Sequence, residues 1–167
     1  YRDEYIIVVN KQSGILSVPG RTEKDCISKR VCRLFPDCID QPAVHRLDME
    51  TSGLMVLAFT KEAHRELSRQ FESKEVKKMY TALIDGIPSK QGFASEGEME
   101  LFFRVDLDNR PHQIWDEKYG KKAITRWKFE DVEYYIDPTG NRRPVTRVSF
   151  IPLTGRTHQL RLAAASP

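Results

Sequence analysis

The segment HRLDMETSGLMVLAFT, residues 45–60, places a carboxylate, Asp48, two residues after an arginine and just before a Thr-Ser-Gly turn. A carboxylate can act as a general base, a metal ligand or a covalent nucleophile, and each role requires different neighbours. In an isolated Arg-x-Asp triplet the commonest role is structural, as a helix cap or a turn former. The segment therefore raises three chemical hypotheses and one structural hypothesis.

The residues around Asp48 fit poorly with metal binding and with paired-carboxylate chemistry. A metal site needs further ligands at short spacing, and His45 alone is not enough. A glycosidase needs a second acid across the scissile bond, and nothing in the sequence indicates that Glu50 faces the same side. A covalent aspartate instead needs a cation that keeps it ionised, which Arg46 or the arginines of GRTHQLR, residues 155–161, could supply.

The composition indicates one globular domain. A chain of 167 residues, 40% of them hydrophobic, can bury a core, and its net charge of +3 permits an anionic partner such as RNA without requiring one. Without a run of eighteen apolar residues or a secretory leader, we expect a cytoplasmic protein that does not enter membranes. The cysteines, Cys26, Cys32 and Cys38, lack paired C-x-x-C spacing, so we expect reduced thiols and no metal site.

Periodicity and turn residues predict short strands and amphipathic helices. Helices are expected over 25–34 and from Lys61 onward, the second capped by Thr60. Strands are expected over 5–9, 53–59, 78–85, 123–131 and 145–153. The run at 53–59 is apolar throughout, which predicts a strand that is covered on both faces.

The segment 89–122 is long, polar and charged, with weak strand signals only near 98–105. We therefore expect an inserted hairpin and loop outside the central core. The fold class predicted from these elements is α+β, a single domain over 1–167 whose central mixed or antiparallel sheet is flanked by helices.

Four phrases of the chain occur in the same order as in pseudouridine synthases of the RluA family, which the sequence therefore resembles. They are VNKQSGILSVPGR, HRLDMETSGLMVLA, KKMYTALIDG and TGRTHQLRL, and the resemblance runs from about Tyr5 to Leu162. The most specific elements are HRLD followed by TSG, and GRTHQLR. Family members usually continue past Ala163 with a G-x-P-I-x-G-D stretch and further strands, so we expect this chain to be truncated at its C-terminus.

The resemblance implies an isomerase that breaks the bond from N1 of a uridine in RNA to its ribose, rotates the uracil and rejoins it through C5. No cofactor and no metal are implied. Asp48 matches the catalytic aspartate, which attacks the nucleotide at the sugar or at the base, and Arg161 matches the cation that keeps it ionised. Tyr80 matches the aromatic residue that lies against the uracil, and Leu160 matches part of the pocket's apolar wall.

The same resemblance implies that the target nucleotide is flipped out of the RNA into the pocket. Arg46 is expected to occupy the space that the base leaves. The residues expected to contact the substrate or the RNA are His45, Arg46, Lys78, Arg110, Arg156 and Leu160. Segment 89–122 is expected to face the RNA, which we predict to be a stem-loop of ribosomal RNA, transfer RNA or both, and the protein is expected to act as a monomer.

Two alternatives remain at the level of sequence. One is a catalytically inactive RNA-binding protein of the same fold, and the other is a hydrolase with an aspartate nucleophile. A binding protein has no need for Asp48, Tyr80 and Arg161 together, and a hydrolase acting on phosphoesters should carry a magnesium site. The synthase is therefore favoured.

Overall fold

A computed structural model describes residues 1–110 and 112–165 of the chain. The chain forms two compact units, Tyr1–Val76 and Lys77–Pro167, each of which contains antiparallel strands and at least one helix. The predicted α+β class is thereby confirmed. The single domain over 1–167 stays a prediction, because two compact units can belong to one catalytic domain. No helix within the described residues has the length and apolar character needed to cross a membrane.

The N-terminal unit is built on a two-stranded antiparallel sheet. Its elements are β1 (Ile6–Lys11), α1 (Ile27–Leu34), β2 (Gly53–Ala58) and α2 (Lys61–Glu72). Pairing runs from Ile6 opposite Ala58 to Lys11 opposite Gly53. The apolar residues buried in this unit include Ile7, Val31, Leu47, Met55, Leu57 and Phe59.

Two local predictions for this unit have different outcomes. The cap of α2 is confirmed, because the Ala63 N–H donates a hydrogen bond to Oγ1 of Thr60 at 3.1 Å. The prediction that β2 is covered on both faces is wrong at Leu54, whose side chain is 70% exposed while Met55 and Leu57 are buried. A strand alternates its side chains between two faces, and only one face of β2 meets the core along its whole length.

The C-terminal unit contains a five-stranded sheet in the order β3-β7-β6-β4-β5, in which all neighbours are antiparallel. Its elements are β3 (Tyr80–Asp85), a short 3-10 helix (Pro88–Gln91), β4 (Glu96–Val105), β5 (Gln113–Trp115), β6 (Lys121–Ile136), β7 (Arg142–Pro152) and α3 (Gln159–Ala165). The core lies on one face of this sheet and consists of Leu101, Phe103, Ala123, Val148, Phe150 and Ala163.

The structure corrects the expectation that segment 89–122 lies outside the core. Strand β4 pairs with β6 over eight positions, and Leu101 and Phe103 of β4 are only 7% and 3% exposed. Glutamates on the opposite face, among them Glu98 and Glu100, make the strand look polar in sequence although half of its side chains are apolar. Residues 107–110, in the loop that follows β4, are exposed.

Candidate active site

Asp48 lies in the loop that precedes β2. Its side chain is half-buried, Arg46 is exposed, and Leu47 between them is buried. The chain enters β2 through Gly53, whose φ of +131° is a conformation that residues with a Cβ rarely adopt. This accounts for the glycine of the Thr-Ser-Gly turn.

The residue before Asp48 is fixed by a buried serine. Oγ of Ser17 donates a hydrogen bond to the main-chain oxygen of Leu47 at 2.6 Å and accepts one from the Leu47 N–H at 2.9 Å. Ser17 is 3% exposed and Leu47 is 8% exposed. Buried hydrogen bonds of this kind hold the main chain in one position, because breaking them would leave polar groups without partners.

The residue after Asp48 is fixed by a buried lysine. The ammonium of Lys11 donates hydrogen bonds to the main-chain oxygens of Gln12 at 2.9 Å, Ile15 at 2.7 Å and Met49 at 2.8 Å. All three of its donors are therefore used inside the protein. Asp48 lies between two residues whose main-chain positions are fixed, which suits a group that must meet a substrate atom.

Lys11 also contributes charge next to the aspartate. Burial lowers the pKa of Lys11, and the smaller effects of the Glu50 and Asp48 carboxylates oppose this shift. Lys11 therefore interacts electrostatically with both carboxylates of the loop.

His45 connects the same loop to β2 and α2. The Val56 N–H donates a hydrogen bond to Nε2 of His45 at 3.1 Å, and the imidazole stacks on the Phe71 ring with centroids 4.5 Å apart. These contacts make His45 a support of the loop. Its contact with RNA stays a prediction.

In the C-terminal unit, the structure brings Tyr80 and Leu160 to the same core. Tyr80 begins β3 opposite Phe150 of β7, and both Tyr80 and Leu160 pack against the core cluster of this unit. Lys78, two residues before Tyr80, is half-buried.

The start of α3 is fixed by Gln159, which is 4% exposed. Its side-chain oxygen accepts hydrogen bonds from the Thr154 hydroxyl at 2.9 Å and the Arg156 N–H at 3.0 Å, and its amide nitrogen donates to the oxygen of Ile124 at 3.0 Å and to the hydroxyl of Thr125 at 2.9 Å. The amide therefore joins the GRTHQLR segment to β6. It determines where the helix that carries Leu160 and Arg161 begins.

The arginines predicted in this unit are exposed. Arg161 lies on α3, and Arg110 lies in the loop after β4. Nε of Arg156 donates a hydrogen bond to the main-chain oxygen of Lys122 at 3.0 Å, so part of its guanidinium supports the loop before α3. Among the described residues, no group of three or more His, Cys, Asp or Glu side chains could hold a metal ion.

A family model described as RNA pseudouridylate synthase matches residues 5–166 of the chain. The chain belongs to this family. The resemblance and the enzyme class predicted from the motifs are confirmed.

Individual relatives agree with the family model. The chain is 47% identical over 164 residues to the dual-specificity RNA pseudouridine synthase RluA of Escherichia coli (strain K12), covering 97% of this chain and 68% of that protein. It is 44% identical over 167 residues to the protein of the same name from Yersinia pestis, of which it covers 72%. The solved structure titled Human RNA Pseudouridylate Synthase Domain Containing 1 matches with a TM-score of 0.76 at 28% identity, covering 96% of this chain and 61% of that chain.

Three buried polar residues that hold the HRLDM and GRTHQLR segments in their respective units were missed at the level of sequence, namely Lys11, Ser17 and Gln159. All three lie inside the phrases that carry the family resemblance. Each is a polar residue buried in an otherwise apolar or turn-rich stretch. Polar residues at positions that periodicity assigns to the core are the signal that could have found them.

Proposed function

We propose that this chain isomerises a uridine within RNA, with Asp48 as the covalent nucleophile. The observation that carries the proposal is the loop of Asp48, whose neighbours Leu47 and Met49 are held by Ser17 and Lys11. A reacting carboxylate gains most from being held in place, because orientation can supply several kcal/mol of the barrier. The family to which the chain belongs gives the reaction class.

The other catalytic roles follow the resemblance. We assign Arg161 as the cation that keeps the aspartate ionised and Tyr80 as the ring that lies against the uracil. The packing of Tyr80 and Leu160 on one core supports their assignment to the pocket wall. The exposed guanidinium of Arg46, two residues from Asp48, is suited to fill the place of a flipped base.

The RNA is proposed to be a stem-loop of ribosomal RNA, transfer RNA or both. The β4-β5 hairpin supports a reading role, because its loop exposes Arg110 and its strand β5 exposes Trp115, which is 55% exposed. Guanidinium and aromatic planes are the surfaces on which unpaired bases stack. His45, Lys78 and Arg156 complete the proposed RNA contacts. We further propose that the protein acts as a monomer in the cytoplasm, a reducing compartment that agrees with its three free cysteines.

The proposal is tested by incubating the protein with ribosomal RNA and transfer RNA transcripts and mapping pseudouridine at single-nucleotide resolution. We expect modification at one or a few uridines in loops. RNA binding with no modification would instead favour the inactive binding protein. Release of phosphate or of free base, with a requirement for magnesium, would favour the hydrolase.

A further inference from the structure

The ends of β6 and β7 form a two-stranded ribbon that extends past the neighbouring strands. Strand β3 pairs with β7 only from Val145 to Phe150, and β4 pairs with β6 only from Lys121 to Lys128. In the part of the chain that the structure describes, residues 134–136 and 142–144 therefore pair with each other and with no third strand. The Gly86 N–H, just after β3, donates a hydrogen bond to the main-chain oxygen of Pro144 at 3.0 Å. We call residues 132–146 the β6-β7 ribbon.

The register separates the ribbon into two faces. Val132 pairs with the buried Thr146, so it lies on the face that carries the core. The alternation then places five residues on this side, which we call the ribbon face: Val132, Tyr134, Ile136, Arg142 and Pro144. The side chains of Val132, Tyr134 and Ile136 are 41%, 50% and 66% exposed. The ribbon continues the core face of the sheet into solvent.

The ribbon face has a cation and an aromatic ring but no carboxylate. The guanidinium of Arg142 lies over the Tyr134 ring, 4.0 Å from its centroid. On the opposite face, Arg147 is paired with Glu133, and Nε of Arg143 lies 3.5 Å from the Asp137 carboxylate. The positive charge is therefore neutralised on one face of the ribbon and available on the other.

The turn at the tip of the ribbon is ordered before any partner binds. Oδ1 of Asp137 accepts hydrogen bonds from the main-chain N–H groups of Thr139 at 2.9 Å and Asn141 at 3.0 Å. Gly140 has a φ of +87°, in the left-handed region that this tight turn requires. A surface that is already ordered loses little conformational entropy on binding.

We propose that the ribbon face binds the RNA strand that flanks the target uridine, an inference that rests on the proposed function. The Tyr134 ring holds the Arg142 guanidinium, whose N–H groups can contact phosphates of that strand. The absence of a carboxylate from the ribbon face removes the repulsion that RNA would meet on the other side.

The position of the ribbon determines which part of the RNA it meets. Tyr80 pairs with Phe150, and Arg142 lies eight residues further along the same strand. At about 3.4 Å per residue, this separation is about 27 Å. The ribbon face would therefore contact RNA well outside the pocket and contribute to affinity and target choice, but not to the chemical step.

The test compares substitutions on the two faces of the ribbon in the full chain. Arg142→Gln and Tyr134→Ser alter the ribbon face, whereas Arg143→Gln and Tyr135→Ser make the same changes on the opposite face. Affinity is measured by fluorescence anisotropy for two forms of a modified stem-loop, one with a stem reaching beyond about 30 Å from the uridine and one with a short stem. Circular dichroism verifies that each variant is folded.

We expect the two ribbon-face variants to bind the long-stemmed RNA about tenfold more weakly, with the short-stemmed RNA and both opposite-face variants unchanged. For Arg142→Gln, the slope of log affinity against log salt should fall by about 1 on the long-stemmed RNA. Turnover of the short-stemmed RNA should stay at the parental value in all four variants.

Three results would overturn the inference. Variants of the two faces could lose the same amount of affinity, the ribbon-face variants could lose affinity equally for both RNAs, or no variant could lose affinity. A different result would also overturn it: the parent self-associates, and Tyr134→Ser abolishes this self-association without changing RNA affinity. The ribbon face would then contact a second copy of the chain. An absence of RNA binding by the parent would overturn it as well. Failure of the proposed function has a different result, in which the parent binds RNA and the ribbon effect is seen, but no pseudouridine forms.

Discussion

The ammonium nitrogen of Lys11 lies 2.8 Å from the main-chain oxygen of Met49, the residue that follows Asp48. A buried side chain at the end of β1 thus determines where the proposed nucleophile is held. This arrangement connects the folding of the N-terminal unit to its chemistry, because the same three hydrogen bonds stabilise the unit and position the loop.

Lys11→Met should therefore impair stability and turnover together. Methionine retains much of the side chain's length but removes one hydrogen bond from each of three main-chain oxygens, so we expect the free energy of unfolding to fall by about 3 kcal/mol. Urea unfolding measures the loss. Lys29→Met, on the exposed surface of α1, is the matched control and should change it by less than about 0.5 kcal/mol. A stable Lys11→Met protein with parental turnover would contradict the positioning role.

A second buried support is Gln159, and Gln159→Leu should weaken the C-terminal unit. The apolar replacement removes the four hydrogen bonds that the amide makes with Thr125, Thr154, Arg156 and Ile124, at a cost of about 2 to 4 kcal/mol. Thermal unfolding measures this effect, with Gln91→Leu at an exposed position as the control. Because α3 carries Arg161, turnover measured below the unfolding transition should also fall. An unchanged melting temperature would show that water replaces the lost hydrogen bonds.

Asp48→Asn should abolish turnover and preserve RNA binding. The amide has the shape of the carboxylate but is not a nucleophile, and we expect the proposed phosphate contacts elsewhere to supply most of the affinity. Single-turnover assays measure the rate and anisotropy measures binding. Glu50→Gln, in the same loop, is the control and should retain turnover within about twofold. A rate for Asp48→Asn within about tenfold of the parent, or about 1.4 kcal/mol of barrier, would exclude the covalent role.

Sequence patterns predict the elements that depend on neighbouring residues. They do not reveal contacts between residues that are far apart in the chain. Periodicity and capping depend on neighbouring residues. They therefore predict the cap at Thr60 and the strands near Ile6, Gly53, Tyr80 and Val145. The three donors of Lys11 reach oxygens as far as 38 positions away, which no local pattern encodes.

The failure at β4 has the same physical origin. A strand with glutamates on one face and Leu101 and Phe103 on the other has a polar average composition, so its burial depends on pairing with β6. Replacement of the whole of segment 89–122 would remove these core residues. Changes intended to test RNA reading must therefore be confined to the end of the β4-β5 hairpin.

Arg46→Ala should discriminate between structured and unstructured substrates. If the guanidinium fills the space of the flipped base, its loss penalises extrusion, which costs a few kcal/mol in a folded stem-loop and little in a short unpaired strand. We expect modification of the stem-loop to slow by at least about tenfold more than that of the short strand. Arg65→Ala, exposed on α2, is the matched control. Equal slowing on both substrates would place Arg46 in the chemistry or in general phosphate binding.

Alkaline pH should destabilise the protein through Cys38. Burial, with a smaller contribution from the neighbouring Cys32, raises the pKa of the Cys38 thiol from 9.0 to about 12. Between these values the unfolded chain loses the proton while the folded chain keeps it. The contribution of the Cys38 thiol to the free energy of unfolding is therefore complete below about pH 9 and is lost as the pH rises towards 12.

The corresponding experiment is urea unfolding of the parent and of Cys38→Ala at pH 8 and pH 10. Between pH 8 and pH 10, the free energy of unfolding of the parent should fall by about 1 kcal/mol because of this thiol. The alanine variant has no thiol at this position and cannot show this fall. The packing cost of the substitution is the same at both pH values and cancels from the comparison. Parallel pH dependence in the two proteins would mean that Cys38 ionises equally easily in the folded and unfolded chains.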